Sequence, residues 1–183
     1  MEYTTIGTTD IKVSKICLGT MNMGEQNTEA DGHEQMDYSV DQGINFIDTA
    51  ELYSIPPKKD TQGSTEKIVG TWLKKRGKRD DLVLATKIAG PGAWVEYIRK
   101  DSDYSATTIK AAVEGSLQRL QTDYIDLYQL HWPARRTNFF GVRGYRHSDN
   151  WEDNILAVLE GLEEVIKEGK VRHFGISNET PWG

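Results

Sequence analysis

Asp48, Tyr53, Lys87 and His131 are the side chains whose types and placement suit proton transfer. Three of them stand at the ends of apolar, strand-like runs. Ile44-Asn45-Phe46-Ile47 leads to Asp48, Leu82-Val83-Leu84-Ala85 to Lys87, and Tyr124 through Leu130 to His131, while Tyr53 lies five residues past Asp48. In a parallel sheet the carboxyl ends of the strands share one face, so residues distant in sequence converge there. A phenol of ordinary pKa, about 10, is a poor acid near neutrality, but a neighbouring ammonium stabilises the phenolate and lowers that value. Lys87 has the right type to act on Tyr53 in this way, and Asp48 would hold the lysine charged and oriented. His131 would hydrogen-bond a carbonyl oxygen and direct it toward the tyrosine hydroxyl. The chemistry that fits is protonation of a carbonyl oxygen while a hydride reaches the carbon. Side chains do not deliver hydride, so a nicotinamide cofactor is required.

Each residue taken singly also has a structural reading. Asp48 could cap the next turn, Lys87 could be a solvated strand end, Tyr53 a loop aromatic, and His131 a satisfied histidine beside Trp132. A barrel aldolase using Lys87 as a Schiff-base amine is a further alternative, although it leaves Tyr53, His131, Ser177 and Asn178 without roles. His33, His131, His147 and His173 show no paired ligand spacing, so no metal site is expected.

The elements that must position these residues follow a strand–helix alternation. Tyr3–Ile6 and Ile11–Val13 flank Gly7-Thr8-Thr9-Asp10 and predict a hairpin. The first main strand is expected from Ser14 to Thr20, followed by a helix from Glu29 to Gln42 with Thr28 as N-cap, Asp31 three residues on and Gly43 as its stop. An irregular loop from Tyr53 to Gly63 precedes a helix capped by Ser64, with Ile68, Val69, Trp72 and Leu73 on one face and Gly77 at its end. The strand Leu82–Lys87 leads through a loop, 88–104, to a helix capped by Ser105 with Ile109, Ala112, Val113, Leu117 and Leu120 as its apolar stripe. After the strand Tyr124–His131, an Arg-rich insertion runs from Trp132-Pro133 through Asp149. The next helix turns Ile155, Val158, Leu159, Leu162, Val165 and Ile166 inward and stops at Gly169, and a last strand spans Val171–Ile176. Such repeats imply a parallel sheet with helices on its outside, in one domain over residues 1–183. The long loops all follow strand carboxyl ends, where sites are built.

The 183 residues, 37% of them apolar, supply one sizeable domain but fall short of the roughly 250 of a closed eight-stranded barrel. A net charge of −6 argues against a nucleic-acid partner. The basic stretch Lys74-Lys75-Arg76 with Lys78-Arg79 reads as the solvated end of a helix. A lone Cys17 in the run Ile16-Cys17-Leu18 is expected to be a small buried hydrophobe in a reducing compartment. With no signal-like amino terminus and no apolar span of about 18 residues, the expected location is cytoplasmic, without a membrane partner. The sequence does not specify an oligomeric state.

Gly43-Ile44-Asn45-Phe46-Ile47-Asp48-Thr49-Ala50-Glu51-Leu52-Tyr53 resembles the signature of the aldo-keto reductase superfamily, as do Gly63-Ser64-Thr65-Glu66 with Gly70, Tyr124 through Pro133, and Gly175-Ile176-Ser177-Asn178. The resemblance runs in order from Leu18-Gly19-Thr20-Met21 to the last residues. The phrase Gln118 through Tyr124 and the insertion are most similar to a bacterial Tas-like branch. The resemblance implies a (β/α)8 barrel, of which this chain covers about the first five units plus the hairpin, as the amino-terminal part of a longer chain. It also implies binding of NADP(H) without a Rossmann domain, consistent with the lack of a Gly-x-Gly-x-x-Gly fingerprint, and reduction of aldehydes and ketones. By motif, the catalytic tetrad corresponds to Asp48, Tyr53, Lys87 and His131. Gly19, Thr20, Met21 and Asp48 would lie near the cofactor, Ser177 and Asn178 would hydrogen-bond its carboxamide, and Trp132 would line the substrate pocket or pack under the insertion. A reductase-like module that binds NADP(H) and reports redox state with little turnover is the non-catalytic alternative.

Overall fold

A computed structural model describes residues 1–100, 102–135, 137–138, 140–144 and 154–181. It begins with an antiparallel hairpin, β1 (Tyr3–Thr5) and β2 (Lys12–Ser14), in register Tyr3↔Ser14. β3 (Leu18–Gly19), α1 (Glu29–Asp41), β4 (Phe46–Asp48), α2 (Ser64–Arg76), β5 (Val83–Ile88), α3 (Ala106–Leu120), β6 (Ile125–Leu130), α4 (Ile155–Lys167) and β7 (Val171–Ile176) follow. The five strands β3 to β7 form one parallel sheet in strictly sequential order. Sequential order with helices on one face is the winding of a (β/α) barrel, whereas a doubly wound sheet reverses its order at a switch point.

The main core lies between the sheet and the helices. Ile47, Leu84, Ile88, Tyr128 and Leu130 from the strands meet Met36, Val69, Trp72, Ile109, Val113, Leu162 and Val165 from α1 to α4. Gly70 permits the close approach of α2 to α3, since a Cβ there would stand 2.2 Å from the Arg119 carbonyl oxygen. The hairpin lies against the amino ends of β4 and β5, where Ile11 and Val13 cluster with Val83 and Phe46. Its turn reaches β7 through Asp10, whose carboxylate meets His173 Nε2 at 3.1 Å.

The local signals explain most boundaries. Thr28 and Asp31 form the capping box at the start of α1. Ser105 caps α3, and Gly77 ends α2 in the left-handed region at φ +67°. Four expectations need correction. The strand from Ser14 to Thr20 is broken, because the Ser14 hydroxyl folds back onto the Ile16 carbonyl (2.6 Å) and only Leu18 and Gly19 join the ladder. Gly63, not Ser64, is the N-cap of α2; it adopts φ +72° and donates its N–H to the Tyr53 carbonyl (2.8 Å), while the Ser64 hydroxyl faces Ser54 Oγ at 3.2 Å. Cys17, expected to be buried, is exposed. Ile155, expected to face inward, is exposed beside Leu156, and Phe174 and Ile176 of β7 are exposed as well. The part of the insertion at 145–149 lies outside the described residues. Among the described residues, no helix is long and apolar enough to cross a membrane.

Candidate active site

The face of the sheet opposite the helices carries the polar groups. Asp48 is the last residue of β4, Lys87 lies in β5 opposite Gln129 of β6, and His131 follows β6 directly. The ladder continues past the strand ends through His131 N–H to the Ile88 carbonyl (3.1 Å) and Ser177 N–H to the Leu130 carbonyl (2.9 Å). Backbone pairing therefore fixes the relative height of the chemical side chains.

Lys87 is 6% exposed and its ammonium donates to Asp48 Oδ2 (2.5 Å) and to the Thr49 carbonyl (2.9 Å). Gln129 Nε2 holds the other Asp48 oxygen at 3.3 Å. The Lys87 nitrogen stands 5.0 Å from the centroid of the Tyr53 ring, and Tyr53 meets the His131 imidazole edge-to-face at 5.4 Å. The structure thus brings all four sequence-predicted residues into one cluster.

The electrostatics divide their roles. Burial pushes the Tyr53 phenol above its ordinary value; Lys87 pulls it down, and Asp48 adds a smaller upward push. The expectation of a lowered phenol holds for the effect of Lys87 but not for the sum, because desolvation of the phenolate outweighs the ammonium. Tyr53 therefore carries its proton at neutral pH. Burial, reinforced by the Lys87 charge, pushes the His131 imidazole down to about 3. His131 is neutral across the physiological range, and its Nδ1 is buried with no hydrogen-bond partner among the described residues.

The remaining predicted residues separate into two groups. Gly19, at the β3 edge, opens onto space, since a Cβ there would meet nothing within 4 Å, and Met21 is exposed. Ser177 is half-buried and Asn178 exposed at the opposite, β7 edge, with Asn178 Nδ2 donating to the His131 carbonyl (2.8 Å) and to Ser177 Oγ (3.0 Å). Thr20 points inward instead: it is 1% exposed and its hydroxyl donates to the Asp48 carbonyl (2.9 Å). Trp132 is also buried, at 1% exposure, with its indole N–H on the Pro91 carbonyl (3.0 Å) and its ring packed with Leu52, Ala89 and Val95. The exposed aromatic surface next to His131 belongs to Trp94, stacked on Trp132 at 5.1 Å, and Phe140, edge-on to His131 at 5.9 Å.

Sequence reasoning missed Gln129, Glu51 and Arg99 around the site, and the buried Glu66–Arg119 pair on the helix-facing side of the sheet, away from it. Gln129 was visible as a polar residue on the same face of its strand as Ile125 and Leu127. Glu51 and Glu66 lie within recognisable motifs, but nothing local shows that both are fully buried. Arg99 reaches Glu51 from a loop 48 residues on, with no periodic signal to mark it.

The aldo/keto reductase family model matches residues 15–183. The chain belongs to this family. It is 49% identical to the protein tas of Escherichia coli K12, over 100% of this chain and 54% of that protein. It is 38% identical to the aldo-keto reductase YhdN of Bacillus subtilis, over 97% of this chain and 47% of that protein. Among solved structures, the holo form of aldo-keto reductase AKR11C1 from Bacillus halodurans superposes with a TM-score of 0.73 at 37% identity, covering 99% of this chain and 51% of that one. The chain spans about half the length of the curated relatives it matches. This aldo/keto reductase chain supplies the hairpin and the first five strands of a (β/α)8 barrel, and Asp48, Tyr53, Lys87 and His131 cluster at the carboxyl ends of these strands.

Proposed function

We propose that this chain carries the proton-donating part of an NADP(H)-dependent oxidoreductase that reduces small aldehyde or ketone carbonyls to alcohols in the cytoplasm. One observation carries the reading: a lysine held by a carboxylate stands over the ring of a protonated tyrosine, and a neutral histidine lies edge-on to the same ring. A neutral imidazole can offer one N–H to the substrate oxygen and orient it toward Tyr53. Tyr53 then donates its phenolic proton. The phenolate left behind is stabilised by the Lys87 ammonium, which Asp48, Thr49 and Gln129 keep in place.

A bound nicotinamide supplies the hydride in this chemistry. Gly19, Met21 and Asp48 on one side of the tetrad and Ser177 and Asn178 on the other are the residues that would hold it, with the open space above Gly19 supporting the fit. Thr20 contributes by bracing the Asp48 carbonyl. Trp132 acts as the buried base on which Trp94 and the His131 ring are stacked or tilted, so it shapes the carbonyl pocket from beneath. An aldolase role for Lys87 is disfavoured by its two short bonds, which leave its nitrogen engaged rather than poised for attack.

The test is multiple-turnover oxidation of NADPH by full-length protein with a panel of aldehydes, run beside Tyr53→Phe. Turnover that falls about 100-fold or more in the variant is the expected result for loss of a general acid. An unchanged rate in Tyr53→Phe removes the acid assignment. Tight NADPH binding with no turnover on any aldehyde favours the regulatory module instead.

A further inference from the structure

We propose that Glu51 is a positioning residue for this reduction: together with Arg99 it sets the spacing between Tyr53 and Lys87 by gripping the chain at the lysine's own carbonyl and at Ala89, just past the end of β5. The inference rests on the reductase reading above and assigns work to a residue that touches none of the reacting groups.

Glu51 lies three residues after Asp48 and two before Tyr53, on the turn that carries both. Its backbone N–H donates to the Lys87 carbonyl (3.2 Å), and its carboxylate accepts the N–H of Ala89 (2.5 Å), two residues past Lys87. The Tyr53 turn is therefore fastened at the lysine itself and two residues past it, where the chain leaves β5. Gln62 Nε2 holds the Glu51 carbonyl (2.8 Å) from the far end of the same loop, next to Gly63, which accepts the role of tying the Tyr53 carbonyl to α2. Arg99 completes the arrangement by contacting both carboxylate oxygens, through Nη1 at 3.0 Å and through Nη2. Arg99 belongs to the 88–104 loop, whose Val95 and Ile98 pack in the same apolar cluster as Tyr53 and Trp132.

Glu51 has zero exposure. Burial pushes its carboxyl upward, while Arg99 and the Ala89 N–H oppose that push. A buried ion pair of this kind is poor evidence of added stability, because a well-packed apolar replacement is often as stable. What the pair supplies that an apolar group lacks is direction: four hydrogen bonds of fixed geometry tie the turn, β5 and the 88–104 loop to one carboxylate and its own peptide. Glu66 provides the internal contrast. It is equally buried and paired with Arg119 (2.6 Å), but its other partner is Thr86 Oγ1 (2.5 Å) on the helix-facing side of β5.

The experiment compares Glu51→Gln, Arg99→Met and Glu66→Gln in full-length protein, well below each melting temperature. Glu51→Gln keeps the shape and the acceptor for Ala89 but turns an amide donor toward Arg99. The expected result is a kcat lowered about 10- to 100-fold in Glu51→Gln and Arg99→Met, the scale of a misplaced catalytic group. KM for the aldehyde should stay within about threefold, and Glu66→Gln should keep kcat within about twofold. Absorbance titration of the Tyr53 phenol, as the difference from a Tyr53→Phe background, should move by more than about half a pH unit in Glu51→Gln. A lowered melting temperature with kcat and the Tyr53 titration both unchanged overturns the proposal, leaving Glu51 a purely structural ion-pair member. Should Glu51→Gln fail to fold, Arg99→Lys, which keeps the charge and loses one bond, is judged by the same two readouts. If Tyr53→Phe itself retains full activity, the acid assignment fails, and the phenol titration alone decides whether Glu51 sets the surroundings of Tyr53.

Discussion

The pH dependence of stability should carry the signature of one residue, His131. Its imidazole is 3% exposed and its pKa is pushed from the ordinary 6.5 down to about 3 by burial and by the Lys87 charge. In the unfolded chain the imidazole takes up a proton as pH falls through 6.5, whereas in the folded chain it does not until about 3. Between those values the unfolded state binds the extra proton, so stability is fully present above pH 6.5 and is lost as pH falls. One proton corresponds to about 1.4 kcal/mol per pH unit, so the two units from 6.5 to 4.5 should cost about 3 kcal/mol. The assay is urea denaturation at pH 7, 5.5 and 4.5 on the native chain and on His131→Gln, because the carboxylates common to both cancel in the difference. The native chain should lose about 3 kcal/mol more than the variant over this range. Imidazole resonances should show the His131 ring neutral at pH 4.5. Equal pH dependence in the two proteins, or a His131 titration near 6, would refute the argument that the imidazole is a permanently neutral donor.

Three further outcomes follow from particular contacts. Gly90→Ala places a Cβ 2.4 Å from Trp132 Nε1, so the indole must leave both Pro91 and Trp94; denaturation should show a loss of about 2–4 kcal/mol, and an effect under about 0.5 kcal/mol would contradict the packing described. Arg79→Met takes one of two arginines from Asp126, which is 1% exposed, and leaves Arg172 (2.9 Å) and the Leu84 N–H (2.9 Å); the expected cost is about 3 kcal/mol at neutral pH, measured by thermal or urea unfolding. The 183-residue chain on its own should show no saturable micromolar quenching of tryptophan fluorescence by NADPH, since it spans only about half the length of the curated relatives it matches. Saturable micromolar quenching would show that this half suffices to hold the cofactor.

Much of the candidate site was legible because polar residues at the ends of apolar strands leave a strong one-dimensional mark. Asp48, Lys87 and His131 each interrupt an apolar run, and a parallel sheet brings such interruptions to one face whatever the loops between them do. The capping box at Thr28 and Asp31 and the apolar stripe of α3 were equally readable, since both depend on groups within one turn of each other. The break after Ser14 was not, because it depends on a serine hydroxyl choosing the Ile16 carbonyl over a strand partner.

By itself, then, the sequence determined the alternation of strands and helices, which four polar residues come together at the strand ends, and the family to which they point. Only the tertiary structure decided their protonation. Tyr53 rises rather than falls, and His131 drops to about 3, because desolvation depends on what packs around a group and not on its neighbours in the chain. The fold likewise decided that Trp132 and Thr20 face inward, that Trp94 and Phe140 form the exposed aromatic surface, and that Glu51 and Arg99, 48 residues apart, share one buried contact. Each of these is a matter of distance across the sheet, which spacing along the chain does not encode.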